Sequence, residues 1–479
     1  MTPASLLATI EAAPRSGRTE LALAPDALAF AASLTEIDRM RLKQQLKAAG
    51  VIVSDWERAV KAIVHARKAQ GTPDAPDWER LLIRSEDGRP LATARNIGLI
   101  LRNEVHLESL RLNRLTLEAE LDGLALTDGG YFRLREFLEE KHRVVVSSEL
   151  ITDAVAAVAE DRTYHPVRDY LDSLPPWDGV PRLARIHEQI LLAPKEPLYG
   201  RMVQAWFVSA VARIYDPGCK VDTVLCLFSE KGGQHKGTFF EAVSRGWYSA
   251  GYIKLEDKDT ILIAHQSWIK LLDEVDDLTK RSEWSAMKRW ITEAFDVFRP
   301  PYGRRPARFQ RGFVFGATTN KQEFLPSDSA AARRFWVIPT GNVGPEQIAL
   351  LKDRLDQIWA EAKHLYFAAT EHATVRAPAD SYLYWFKSDE QESILALAGH
   401  HQTDPVWLDK IETWLASPMR GTNKVWRTEE ILEGALKLDK PDTHTKTARD
   451  NVGDAMRKLG YVLKNHTYED GTQKKAWKK

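Results

Sequence analysis

The stretch VLCLFSEKGGQHKGTFFEAV, residues 224–243, decides the fold: an apolar strand, a loop with two glycines and a lysine, then a helix. Strand, loop and helix in that order cradle phosphate, because backbone N–H groups and a helix N-terminus point at the anion while a lysine reaches its terminal oxygens. The common spelling G-x-x-x-x-G-K-[ST] is only partly met. Glu230 and His235 stand where that spelling has glycine, and Gly237 stands where it has the hydroxyl that holds Mg²⁺. Lys236 is in place, and Gly232 and Gly233 let the backbone approach closely. The next hydroxyl, Thr238, comes one position late, which turns it about 100° around a helix. Gly232, Gly233, Lys236, Gly237 and Thr238 are therefore the candidate nucleotide contacts.

The neighbouring segments extend the pattern. From about residue 198 to 370, apolar strands at VDTVLCLF, WIKLL, RGFVFGATT and RRFWVIP alternate with helices, which predicts a mostly parallel sheet covered on both faces. WIKLLDEVDD ends in Asp273, Glu274 and Asp276, where the carboxyl edge of such a sheet sets acids beside a nucleotide to hold hydrated Mg²⁺ and polarise water. Lys270 inside that strand argues mildly against its full burial. GFVFGATTN ends in a polar cluster from which Asn320 or Thr319 would sense the terminal phosphate or orient water. AAARRFWVI sets Arg333 and Arg334 just before a strand, and an arginine there can stabilise transferred phosphoryl charge, often across a subunit boundary.

Two further segments point to nucleic acid. FRPPYGRRPARFQRGF carries Arg299, Arg304, Arg305, Arg308 and Arg311, with no acidic residue from Val297 to Gln322. Its Pro-Pro-Tyr-Gly turn, with Tyr302 and Phe309 among the arginines, predicts a basic hairpin that grips phosphates or stacks on bases. After residue 400, two helical patterns precede two strand-like pieces around Asp470 and Gly471, the order of a winged helix. Arg449 and Lys458 lie on or near its recognition helix, and Lys474 and Lys475 in the tail would contact phosphates.

Composition sets the outer limits. A chain of 479 residues implies two to four domains, here read as a helical region 1–72, a mixed α+β adaptor 77–197, the α/β core 198–372, a connector 373–404 and a DNA-binding module 405–479. Lys plus Arg equals Asp plus Glu at 67 each, so affinity for nucleic acid must come from local clusters of charge. Two cysteines, Cys219 and Cys226, exclude a disulfide scaffold and a four-ligand zinc site. No long apolar run and no signal-peptide pattern occurs, so a cytoplasmic location without a membrane partner is expected.

From Tyr164 to Pro339, the pieces YHPVRDYLDSLPPWDG, VARIYDPGCKVDTVL, KGTFF, WIKLLDEVD, SAMKRWITEAFDVFRPPYGRR, GATTN and RRFW follow one another in an order that resembles the virulence-associated protein E family. Its members are P-loop ATPases of phages, prophages and plasmids similar to superfamily 3 helicases. The resemblance implies an α/β P-loop NTPase core of AAA+ type, with helical and mixed N-terminal regions and a C-terminal winged helix, assembled as a ring that is commonly hexameric. It implies ATP and Mg²⁺ as cofactors, DNA as partner, and a role in replication initiation or unwinding. Lys236 would contact phosphate, Thr238, Asp273 and Asp276 the metal, with Glu274 and Asp273 in the water site, Asn320 as sensor and Arg333 or Arg334 as finger. Family members generally keep G-K-[ST], whereas this chain has His-Lys-Gly. Two readings follow, an active nucleic-acid-dependent ATPase or a hydrolysis-impaired scaffold or regulator that acts through DNA binding, in interference or origin binding. The N-terminal region has no zinc-ligand cluster and too few residues for a polymerase-like domain, so no primer synthesis is expected and the region serves at most as a docking element for a replication partner.

Overall fold

The computed structural model of the chain describes residues 1–70, 76–251, 258–278, 281–300, 305–327, 329–371, 384, 386, 388–405, 407–417, 425–438, 445–468 and 472–479. Two compact units result, Met1–Arg114 with Glu118–Tyr164, and Leu115–Leu117 with His165–Lys479.

In the first unit, helices from Pro3–Ala12 to Val53–Gln70 close around Leu6, Ile10, Leu42, Leu46 and Trp56. A separate apolar cluster holds Ile97, Leu101, Leu138 and Val155 from the helices Ala94–Asn103, Asp128–His142 and Ser148–Asp161. Beside it lies a small antiparallel sheet of β1 (Arg111–Asn113), β2 (Glu118–Leu121) and β3 (Leu124–Ala125). Side-chain caps set several of these helix starts: Thr2, Thr35, Thr93 and Ser147 each accept a backbone N–H of the first turn, satisfying a donor the helix cannot.

The second unit is built on β4 (Val224–Phe228), β5 (Tyr248–Ser249), β6 (Ile269–Leu272), β9 (Val314–Thr319) and β10 (Phe335–Pro339), with β7 (Phe295–Phe298) and β8 (Ala307–Gln310) pairing as a separate antiparallel ribbon. The five-stranded sheet is parallel throughout, in the order β10-β4-β9-β6-β5. Successive residues of a strand face opposite sides, and both sides here are apolar, which is why β4 reads as a continuous hydrophobic run. Leu225, Leu227, Ile269, Leu271 and Ile338 join one cluster with Trp206 and Phe207 of the helix Pro197–Tyr215, Phe240 of Lys236–Ser244 and Trp359 of Pro345–Glu371. Val224, Cys226, Phe315, Ala317 and Val337 join the other with Trp284 and Trp290 of Arg281–Thr292. Gly316 of β9 is required by this packing: a Cβ there would come within 2.5 Å of the Phe240 ring. Lys270 is buried despite its charge, at 3% exposure, and desolvation lowers its pKa. Among the described residues no helix is long and apolar enough to cross a membrane.

Beyond the sheet, helices Leu408–Leu415, Thr428–Gly434 and Lys446–Lys458 pack with an antiparallel sheet of order β11-β13-β12, formed by β11 (Val425–Trp426), β12 (Val462–Thr467) and β13 (Gln473–Lys478), around Ile411, Trp426, Ile431, Val452 and Trp477. The helix Leu408–Leu415 and β11 add to the two helices and two strands legible in the sequence. Asp470 and Gly471 lie outside the described residues.

The β7–β8 ribbon corrects one expectation. Arg299, Arg305 and Arg308 are exposed, and Arg308 lies 3.5 Å over the Phe295 ring, while Arg304 and Tyr302 lie outside the described residues. Arg311 instead points inward, fully buried, and cannot meet a nucleic acid. Its guanidinium grips Asp296 in a bidentate pair at 2.6 and 2.8 Å and also donates to the Trp290 carbonyl, while His265 lies 3.0 Å from the same carboxylate. The stretch carries no acid of its own because the counter-charge sits one residue before it, at Asp296.

Burial alone would raise the Asp296 pKa, but the hydrogen bonds from Arg311 and His265 outweigh it and bring the group down to about 2, from an ordinary 3.8. A depressed carboxylate stabilises the fold fully above its unfolded pKa, so this contribution, on the order of 2 kcal/mol, is complete above about pH 4 and lost as the pH falls towards 2. Asp296→Asn leaves Arg311 buried without a counter-charge and is expected to cost about 3–5 kcal/mol in urea unfolding at pH 7.

Candidate functional site

The site forms where the chain leaves β4. After Phe228 the loop turns through Gly233 (φ 74°) and His235 (φ 48°), both left-handed, and enters the helix Lys236–Ser244. Left-handed backbone is free for glycine and costs an ordinary side chain, so His235 carries strain that the glycine of the common spelling would not. Lys236 is the first helical residue and only 8% exposed. Its ammonium donates to Asn320 Oδ1 at 2.6 Å and to the Ser229 carbonyl at 3.2 Å.

Asn320 arrives from β9, which lies between β4 and β6. The same strand end supplies Thr318 and Thr319. Thr318 Oγ1 donates to Asp273 and accepts the Glu274 N–H at 3.3 Å, and Thr319 Oγ1 donates to Asp276 Oδ1 at 3.0 Å. Lys321 Nζ stands 3.3 Å from Asp276 Oδ2. Glu274 takes left-handed backbone (φ 51°), which turns the chain sharply as β6 ends. Burial lowers the Lys236 pKa, and the charges of Asp276, Asp273 and Glu274 recover only part of that drop. Lys236, Asp273, Glu274, Asp276, Thr319 and Asn320 thus share one edge of the sheet. Sequence reasoning missed Thr318 and Lys321, which touch the acids; both flank the polar cluster that ends GFVFGATTN, so proximity to Thr319 and Asn320 was the available signal.

Carboxylate and hydroxyl oxygens are the donors that a hard cation takes. Among the described residues no three His, Cys, Asp or Glu side chains gather as a metal cluster. A cation here would draw on one or two carboxylates, with phosphate and water completing its shell, which is the habit of Mg²⁺. The oxygen donors suit such a cation, which Asp273 and Asp276 would hold together with a polyphosphate. Thr238 is less well suited, because its hydroxyl lies 3.4 Å from His235 Nδ1. At Gly237 an added Cβ would first meet Leu271 Cδ2 at 3.9 Å and the Tyr248 hydroxyl at 4.0 Å, so a side chain has room there.

The remaining candidate residues lie elsewhere. Arg333 and Arg334 precede β10, at the amino edge of the parallel sheet, so a whole strand, roughly 15 Å long, separates them from the loop after β4 in the same chain. They line a cavity of about 170 Å³ with Lys220 and Asp222. Arg333 is exposed, and Arg334 is half-buried and donates to the Ala330 carbonyl at 2.7 Å. In the C-terminal module, Arg449 lies 3.8 Å from Glu429 and Lys458 3.5 Å from Asp404, while Lys474 and Lys475 are exposed on β13 opposite His466 and Asn465.

The space at Gly237 makes a stability contrast measurable. Gly237→Ser is expected to shift urea-unfolding stability by less than about 0.5 kcal/mol. Gly316→Ala, which forces a Cβ into the Phe240 ring, is expected to cost about 1–3 kcal/mol.

Comparison with known proteins covers the sheet and its surroundings. Residues 171–396 match the virulence-associated protein E-like domain. Among solved structures, an A-form apo structure of the NrS-1 C-terminal region (305–718) is similar at 15% identity and a TM-score of 0.35, with 64% of this chain and 77% of that one covered. A second apo structure of that region gives 14% identity, a TM-score of 0.35, and coverage of 64% and 78%. No curated protein matches the chain. Residues 171–396, from the helices before β4 into the second helix after β10, are a virulence-associated protein E-like domain.

Proposed function

We propose that the chain is a nucleic-acid-dependent, Mg²⁺-requiring ATPase of a phage, prophage or plasmid, helicase-like, acting in DNA replication initiation or unwinding. The observation that carries this reading is the edge where Lys236 meets Asn320 at 2.6 Å, with Asp273 and Asp276 beside them. From β4 the chain passes to one side of the sheet for β5, β6 and β9, and crosses to the other for β10. The crevice at the carboxyl end of such a reversal is where open parallel sheets bind nucleotides. Lys236 and the helix N-terminus hold the phosphates, Asp273 and Asp276 serve the metal, Glu274 polarises the attacking water, and Asn320 reports on the terminal phosphate. When bound, magnesium neutralises phosphate charge.

Arg333 or Arg334 serves a nucleotide held by a neighbouring copy in a ring, and their distance from the loop of their own chain supports action in trans. The exposed Arg299, Arg305 and Arg308 of the ribbon contact the phosphates of single-stranded DNA, and the C-terminal module acts as a winged helix. The N-terminal unit offers a docking surface to a replication partner. A second reading, a P-loop scaffold that binds nucleotide and DNA without turnover, is favoured by one specific feature, the absence of a hydroxyl at Gly237.

Phosphate release from ATP in the presence of Mg²⁺ and single-stranded DNA decides between them. Turnover that falls about 10- to 100-fold in Lys236→Ala is expected from loss of a charged hydrogen bond to phosphate; nucleotide binding without turnover identifies the scaffold. Replacing Arg305 and Arg308 together by Ala should weaken single-stranded DNA binding and flatten its dependence on salt by about 1.4 in log–log slope, whereas nucleotide affinity stays unchanged.

A further inference from the structure

The hydroxyl missing at Gly237 has a neighbour able to stand in for it. Tyr248 lies on β5, in register with Ile269 of β6, and its hydroxyl is 4.0 Å from the point where a side chain at Gly237 would begin. A seryl oxygen would stand one bond beyond that point, within the same small volume. The other neighbour is Leu271, two residues before Asp273, and it carries no polar atom. Thr238, the nearest hydroxyl in sequence, is drawn towards His235. We propose that the Tyr248 phenol occupies the metal–phosphate position that the residue after the loop lysine fills elsewhere, so that one side chain from the edge strand restores the oxygen that Gly237 lacks.

Gly237 leaves the space between the helix and the phenol unfilled. Burial, with the charges of Asp273 and Glu241, pushes the phenol up to about 12, so at neutral pH it keeps its proton and acts as a neutral donor and weak ligand. Of the acids after β6, Asp273 is the one whose charge acts on this phenol. The inference rests on the reading of this edge as a Mg–nucleotide site.

ATP binding by titration calorimetry, with Mg²⁺ and with EDTA, tests it on the full-length protein, its Tyr248→Phe variant and the Tyr248→Phe/Gly237→Ser double variant. Loss of one hydroxyl acting at a charged site is expected to weaken Mg-ATP binding about tenfold and leave metal-free ATP binding unchanged, with Gly237→Ser recovering most of the loss. Equal affinity of Tyr248→Phe and the parent in Mg²⁺, or an equal loss in EDTA, overturns the role of Tyr248 while the nucleotide site stands. Failure of the parent chain to bind ATP at all overturns the site and the inference together. Matching thermal unfolding of the nucleotide-free proteins shows that Tyr248→Phe acts on binding and not on folding.

Discussion

The insertion of β9 between β4 and β6 is the constraint on which the candidate site depends. Parallel strands all end at the same edge, so the residues that follow β4, β9 and β6 must meet there. That geometry turns three segments separated by dozens of residues into one polar cluster, with Asn320 on Lys236 and the two threonines on the two aspartates. Gly316, in the middle of β9, lets the helix after the loop lie close to the sheet, which brings Lys236 down to that edge. A bulkier residue at that position would lift the helix and separate the lysine from its partner.

Lys236 is already satisfied by the protein's own groups, the Asn320 amide oxygen and the Ser229 carbonyl. A phosphate bound there would have to displace them, and it would offer a full negative charge in exchange for two neutral dipoles, the stronger kind of partner for an ammonium. The buried Arg311–Asp296–His265 group plays the complementary part below the ribbon: it fixes the base of β7 and β8 so that the exposed arginines project from a rigid root.

Much of this was legible in the sequence because parallel strands buried on both faces read as unbroken apolar runs, and because acids and amides that end such runs have few places to be except the common edge. Asp273, Asp276 and Asn320 were read that way and Lys236 from the loop spelling, and β4, β6 and β9 bring the four to one edge. Arg311 was misread because charge was counted along the chain, while the ribbon register pairs Asp296 with Phe309 across the strands and folds Arg311 back beneath them. Thr318 was passed over for a related reason: its partner Asp273 lies 45 residues away and is brought beside it only by the pairing of β6 with β9.

The loop after β4 and the arginines before β10 stand at opposite rims of one sheet. A head-to-tail contact that sets the loop rim of one copy against the arginine rim of the next joins unlike surfaces, so each copy keeps one unfilled rim for a further copy. Such a contact propagates until the rotation per copy closes it on itself, and a pair of chains can complete at most one such junction. Chemistry that needs both rims would then rise steeply with protein concentration.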